Sequence, residues 1–287
     1  MKTVYILVTC LILGLLATLC GCQNQDPKSY DYTLDEVKGK LNFYAVAVPD
    51  ISEYTERCDT LTFKGLWEYA RKTDIYDHEY EPGEWHRDVE PCHPDDSRSE
   101  ISTEGILGAL HAMVKRGDYD KIDDLWTYLD ANDWIAGAGP KEYTRVYQLK
   151  SIIKEIMAKG RGLAQDQHKV LRFAAESEDG SIGYRGNVLA DYIALHHIAL
   201  GYLESWHVVA VETLAAEVPQ SPLYQGLFGC YSDDNAYQTA LNILGNEELF
   251  PSDRLPERSN EGLWDWSDSP QVATFALTVA VMEHCHE

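Results

Sequence analysis

Residues 101–114, ISTEGILGALHAMV, carry apolar side chains around most of a helical circumference: Ile101, Ile106, Leu107, Ala109, Leu110, Met113 and Val114. A helix apolar on nearly every side must be buried on nearly every side, and Gly105 and Gly108 let a neighbour come close. Residues 119–129, YDKIDDLWTYL, read differently. Ile122, Leu125, Trp126 and Leu129 fall at i, i+3, i+4 and i+7, with Asp120, Asp123 and Asp124 opposite, so this helix keeps one face in water. A buried helix is thus followed by an amphipathic one.

The pair recurs. Residues 188–203, VLADYIALHHIALGYL, are apolar almost throughout apart from Asp191, His196 and His197, and residues 207–218 form a shorter amphipathic segment. Further helices are expected over 61–71, 146–158, 167–176, 235–244 and 271–284. Ser97 with Glu100 has the spacing of a capping box, and Ser269 before Pro270 places a cap ahead of a first-turn proline. Sustained period-two alternation is scarce, so strands are expected to be minor. Polar, aromatic-rich loops precede the apolar helices about every 40 residues, the length of one helical hairpin with its connections. The expectation is an all-α domain. Its inner and outer helices resemble the (α/α) toroids of glycoside hydrolases and polysaccharide lyases over residues 58–287. That resemblance implies a toroid-like array of helical hairpins, and an irregular helical solenoid or bundle remains the alternative.

The chain has 287 residues, and 24 basic against 47 acidic side chains give a formal charge of −23. Such a field repels a phosphate backbone and argues against nucleic acid as a partner. Lys2 precedes an uncharged apolar run over 4–19. As a helix that run would reach roughly 24 Å, short of a ~30 Å hydrocarbon core, so it reads as a secretory signal. Leu19, Cys20, Gly21 and Cys22 resemble the bacterial lipobox. Cys20 would need bulky Leu19 just before the cleavage point, whereas Cys22 follows Gly21, so the resemblance implies diacylation at Cys22. The implied organisation is a signal peptide over 1–21, a lipidated cysteine and tether over 22–40, and one helical domain over 41–287. Gln23 after the lipidated cysteine favours the outer membrane of a bacterial envelope, with the bilayer as the first partner.

Of seven cysteines, Cys10 and Cys20 leave with the signal and Cys22 takes lipid, so Cys58, Cys92, Cys230 and Cys285 remain. In an oxidising compartment they can form two disulfides in three ways. The expected pairs are Cys58 with Cys92 and Cys230 with Cys285.

If inner helices converge, the loops at their amino ends share one rim, and chemistry is sought there. Hydrolysis of a glycosidic bond needs a carboxylic acid and a second carboxylate. Asp59 and Glu100 are the expected pair, with Asp191 in reserve. A polysaccharide lyase would use a base such as His86 or Tyr143 and a cation such as Arg87 or Arg98 to neutralise a uronic carboxylate. Arg145, Arg185 and Asn187 recur at the same loops, while Trp85 and Trp264 offer faces for sugar rings. Helix capping alone also accounts for Asp59 and Glu100.

His196 and His197, adjacent on a helix, point about 100° apart and make a poor metal pair. His284, Cys285 and His286 read as a chain end or a disulfide, so no metal or cofactor is assigned. There is no phosphate-cradling glycine loop, nucleophile elbow, His-Glu-x-x-His helix or Cys-x-x-Cys pair. The function expected is a lipid-anchored envelope protein that binds or processes a glycan. The alternative is a non-catalytic lipoprotein that binds a protein partner.

Overall fold

A computed structural model describes residues 31–47, 60–87, 101–136, 144–163, 184–246 and 271–286. The chain divides into a short unit, Met1–Asp31, and a large one, Tyr32–Glu287. The large unit is all-α. Its helices are α1 (Leu34–Ala47), α2 (Thr60–Trp67), α3 (Thr103–Arg116), α4 (Tyr119–Ala131), α5 (Lys150–Gly160), α6 (Tyr184–Leu200), α7 (Ser205–Glu217), α8 (Pro222–Tyr231), α9 (Asp234–Gly245) and α10 (Gln271–Glu283). Two small hairpins, β1 (Glu79–Glu81) with β2 (Glu84–Trp85) and β3 (Ile135–Ala136) with β4 (Thr144–Arg145), are antiparallel.

Burial follows the sequence pattern. In α3 the buried positions include all of Gly105 to Met113, whereas α4 buries only Ile122, Leu125 and Leu129. Helices α6 and α10 resemble α3, with Leu189 to Leu195 and Val272 to Met282 in one continuous core. Each fully buried Leu or Ile there contributes about 1.5–3 kcal/mol. Such helices need neighbours on every side, and they have them. Helix α2 packs on α3, α3 on α6, α6 on α8 and α10, and α10 back on α2. Helices α4, α5, α7, α9 and α1 pack outside this set.

Several inner helices run the same way. Leu61 lies beside Gly105, Thr62 and Gly65 beside Gly108, and Glu68 bonds Arg116, so α2 and α3 are parallel. Gly226 lies beside Thr278 and Cys230 joins Cys285, so α8 and α10 are parallel. The α2–α3 seam depends on its glycines, because a Cβ on Gly65 would fall within the backbone of Gly108. Gly105 is less critical, since a Cβ there would meet Ile101 at an ordinary 3.4 Å.

Local signals explain the boundaries. Helix α3 starts at Thr103 because the Ser102 hydroxyl accepts from the Gly105 amide at 3.1 Å, a cap worth about 1 kcal/mol. It ends at Gly117, which holds φ 73. The Ser97–Glu100 box, Ser269–Pro270 and the helix expected over 167–176 lie outside the described residues.

Two helices were not expected from sequence. The first, α1, begins at Leu34, inside the stretch expected as a tether, and its docking explains why. Lys40 Nζ donates to the Leu244 carbonyl at 3.0 Å, and the Tyr32 amide donates to Asn242 Oδ1 at 3.2 Å. Thr33 and Glu36 form its capping box, since Thr33 Oγ1 accepts from the Glu36 amide at 3.3 Å and Glu36 Oε2 accepts from the Thr33 amide at 2.8 Å. The second, α8, opens on Ser221 as cap and Pro222 in the first turn. Among the described residues no helix is long and apolar enough to cross a membrane.

Candidate functional site

The chemistry among the described residues gathers on α6. At about 100° per residue, Asp191, Tyr192, His196 and His197 leave this helix in different directions and reach different neighbours. Asp191 is 6 % exposed. Burial first, then the charge of Glu104, pushes its carboxyl up to about 8. Glu104 stands in the first turn of α3. Asp191 therefore carries a proton at neutral pH with a carboxylate close enough to act on it, the state a general acid requires.

Below this pair, His111 of α3 ties three segments together. The Tyr69 hydroxyl donates to His111 Nδ1 at 2.8 Å, and His111 Nε2–H donates to the Asp191 backbone carbonyl at 3.0 Å. Both ring nitrogens are used, and burial lowers the imidazole pKa to about 4. His111 is a neutral structural bridge that fixes Asp191 against α3.

One turn and a half further along α6, His197 makes a second bridge of the same kind. Its Nε2–H donates to the Val281 carbonyl of α10 at 3.0 Å, and its Nδ1 pairs with the Tyr231 hydroxyl at the end of α8. Burial brings this imidazole to about 4 as well. Cys230 and Cys285 lie beside it as a disulfide with Cα atoms 5.1 Å apart, the pairing expected from sequence. Nδ1 or Nε2 of His197 and the sulfurs of Cys230 and Cys285 lie within 4.8 Å of one another.

His196 faces elsewhere, as its neighbour's orientation requires. Its Nδ1–H donates to the Tyr202 carbonyl at 2.8 Å, and its ring lies 4.6 Å from that of His207 in α7. The Glu204 amide donates to His207 Nδ1 at 3.0 Å, and the Glu204 carboxylate returns the bond as a capping box. The Nε2 atoms of His196 and His207 are both buried without a hydrogen-bond partner among the described residues. Burial holds His207 at about 3.

The rim residues divide into two groups. Asp59, Glu100, Arg98, Tyr143 and Trp264, with Cys22, Cys58 and Cys92, lie outside the described residues. The segments 48–59, 88–100, 164–183 and 247–270 lead directly into α2, α3, α6 and α10. Arg185 and Asn187 fall in the first turn of α6. Arg145 is exposed on β4, paired through its backbone with Ile135. Trp85 is 3 % exposed and packs 5.8 Å from Tyr76, so it belongs to the core. His86 is 6 % exposed, stacks on Tyr80 at 5.0 Å and lies 3.3 Å from the Glu84 carboxylate. Arg87 is partly buried and engaged. The described residues do not bring His86 to Asp191.

Sequence reasoning missed Glu104, His111, Tyr69 and Tyr231. Glu104 reads in sequence as an ordinary first-turn acid, and its coupling to residue 191 joins two distant segments. A single histidine on an apolar face is usually a satisfied core residue, which His111 proves to be. Compared with known protein families, curated proteins and solved structures, the chain finds no match in any of the three.

Proposed function

We propose that this chain is a lipid-anchored protein of a bacterial envelope whose helical domain binds and processes a glycan, with Asp191 as proton donor and Glu104 as its electrostatic partner. The observation that carries the reading is the Asp191 carboxyl, buried on an inner helix and pushed up to about 8 beside a second acid. Glycosidic bond cleavage calls for that division of labour between two carboxyl groups. The toroid belongs to this proposal. In it α2, α3, α6, α8 and α10 form the inner ring. Asp59, Glu100 and Arg98, which precede α2 and α3 in the sequence, stay with Arg145 and Arg185 as the candidate contacts to an acidic sugar. The lipobox-like Leu19 to Cys22 supports the anchor.

The test is incubation of the full chain with a panel of neutral and uronic glycans, comparing wild type with Asp191→Asn, Glu104→Gln, Asp59→Asn and Glu100→Gln. Circular dichroism checks that each variant folds. The expected result is turnover of at least one glycan and a loss on the order of 100-fold or more in Asp191→Asn. No turnover on any glycan, or equal turnover in wild type and Asp191→Asn, overturns the catalytic assignment. Binding without turnover moves the domain to the class of glycan-binding lipoproteins.

A further inference from the structure

The carboxyl ends of α6, α8 and α10 meet at His197, Cys230, Val281 and Cys285. His197 is near the end of α6, Cys230 is next to last in α8, and Cys285 follows α10 directly. Three helix ends direct their negative poles toward one place, which favours a cation there. The Val281 carbonyl oxygen is 3.0 Å from His197 Nε2, 3.3 Å from Cys285 Sγ and 3.9 Å from Cys230 Sγ, so one hard and three nitrogen or sulfur donors face each other. The three side-chain donors lie within 4.8 Å of one another. A tetrahedral zinc ion with bonds of about 2.0–2.3 Å spaces its ligand atoms roughly 3.5 Å apart. Reduction must therefore let the two bonded sulfurs separate, while His197 and the Val281 carbonyl already stand at about the required spacing.

We propose that the Cys230–Cys285 disulfide and a zinc site are alternative states of this corner, the reduced chain binding one Zn2+ through His197, Cys230 and Cys285 with the Val281 carbonyl in the fourth position. In the first step a dithiol or phosphine reductant delivers two electrons to the sulfur–sulfur bond. Two protons then complete the thiols, and the reductant leaves as its own disulfide or, with water, as the phosphine oxide. In the second step the two thiols release two protons as two sulfur–zinc bonds form. His197 shifts its proton from Nε2 to Nδ1, and the Tyr231 hydroxyl oxygen accepts it there. A hydroxyl can donate or accept, so Tyr231 serves both states, in the manner of the groups that orient metal-bound histidines.

Among the described residues His196 and His207 have no third ligand group gathered with them, so they do not make a comparable site. The sequence favoured a disulfide for Cys230 and Cys285 and did not connect either with His197, which is remote from both along the chain.

The experiment uses the full chain, oxidised or reduced with a phosphine, and Co2+ as a spectroscopic probe. The expected result is one Co2+ per reduced chain with thiolate-to-cobalt charge-transfer absorption, none in the oxidised chain, and retention in Cys58→Ser/Cys92→Ser. Cys230→Ser and Cys285→Ser should abolish the charge-transfer band, and Tyr231→Phe should weaken binding about 10- to 100-fold. A second readout needs no variant: Zn2+ should slow alkylation of Cys230 and Cys285 in the reduced wild type, with each cysteine followed by mass spectrometry. Absence of the band in reduced wild type, its persistence in Cys230→Ser, or equal alkylation with and without Zn2+ overturns the proposal.

Discussion

His111 and His197 on one side, and His196 with His207 on the other, show two ways of burying an imidazole in the same helical core. The first pair is saturated. Each ring takes a tyrosine hydroxyl at Nδ1 and gives its Nε2 proton to a helix carbonyl, so each joins three helical segments: α3, the end of α2 and α6, or α6, α8 and α10. The second pair satisfies only its Nδ1 atoms and leaves both Nε2 atoms without a partner among the described residues. Equal burial thus gives two different energetic roles. A saturated histidine cements its neighbours, because removing it strands a tyrosine hydroxyl and takes the second hydrogen bond from a helix carbonyl. A half-satisfied one contributes little beyond its packing.

The largest expected effect extends the saturated seam at α2 and α3. Arg116 holds the buried Glu68 carboxylate through two bonds of 2.8 and 2.7 Å, and Glu68 also accepts from the Thr73 amide at 2.7 Å. Arg116→Met should cost about 3–5 kcal/mol in denaturant unfolding, because it leaves a buried charge unpaired. A loss below about 1 kcal/mol would mean that the seam does not depend on the pair.

Next comes the backbone contact. Gly108→Ala should cost about 1–3 kcal/mol through overpacking against Thr62, while Gly105→Ala should be far milder. Equal effects at the two positions would contradict the parallel packing described for α2 and α3.

The histidines themselves provide the sharper contrast. His111→Leu strands the Tyr69 hydroxyl, takes the second hydrogen bond from the Asp191 carbonyl and should cost about 2–3 kcal/mol. His207→Leu strands only the Glu204 amide and should cost about 1 kcal/mol or less. Reversal of that order would break the distinction between saturated and half-satisfied rings.

Much of this architecture was legible in the sequence, because burial on all sides leaves a direct trace in composition. The apolar circumference of 101–114 and the one-sided 119–129 map onto α3 and α4 within a few residues. What escaped was information held in single polar residues. Thr33 and Glu36 mark the start of α1, but of its weak apolar stripe, Val37, Leu41 and Tyr44, the first falls within the stretch whose composition reads as a tether. Ser221 and Pro222 mark α8 in the same understated way. The site was less legible still. Asp191 was only a reserve candidate, because nothing local to it reveals a carboxylate in α3, and the roles of His111 and His197 depend on tyrosines from other helices.

Smaller effects arise from pH. His78, His111 and His197 are lowered to about 4 and His207 to about 3, in each case chiefly by burial. The unfolded chain then binds more protons than the folded one below about 6.5, so stability should fall as pH drops from about 6.5 toward 4. Asp191 acts in the opposite sense. Its folded pKa is raised, so its contribution is fully retained below about 4 and lost as pH rises through about 8. Asp191→Asn should therefore match wild type near pH 4 and exceed it in unfolding midpoint near pH 8. A wild-type midpoint that does not move between about pH 6.5 and 4 would contradict the neutral burial of these histidines.

Infrared difference spectroscopy of the full chain, wild type against Asp191→Asn between about pH 5 and 10, tests the proton-bearing Asp191 most directly. The account predicts a protonated-carboxyl C=O band in wild type that persists at pH 7, disappears with a midpoint near 8 and is missing from Asp191→Asn. A wild-type spectrum with no such band at pH 7, or a band unchanged in Asp191→Asn, would contradict it and remove the acid on which the glycan-processing reading rests.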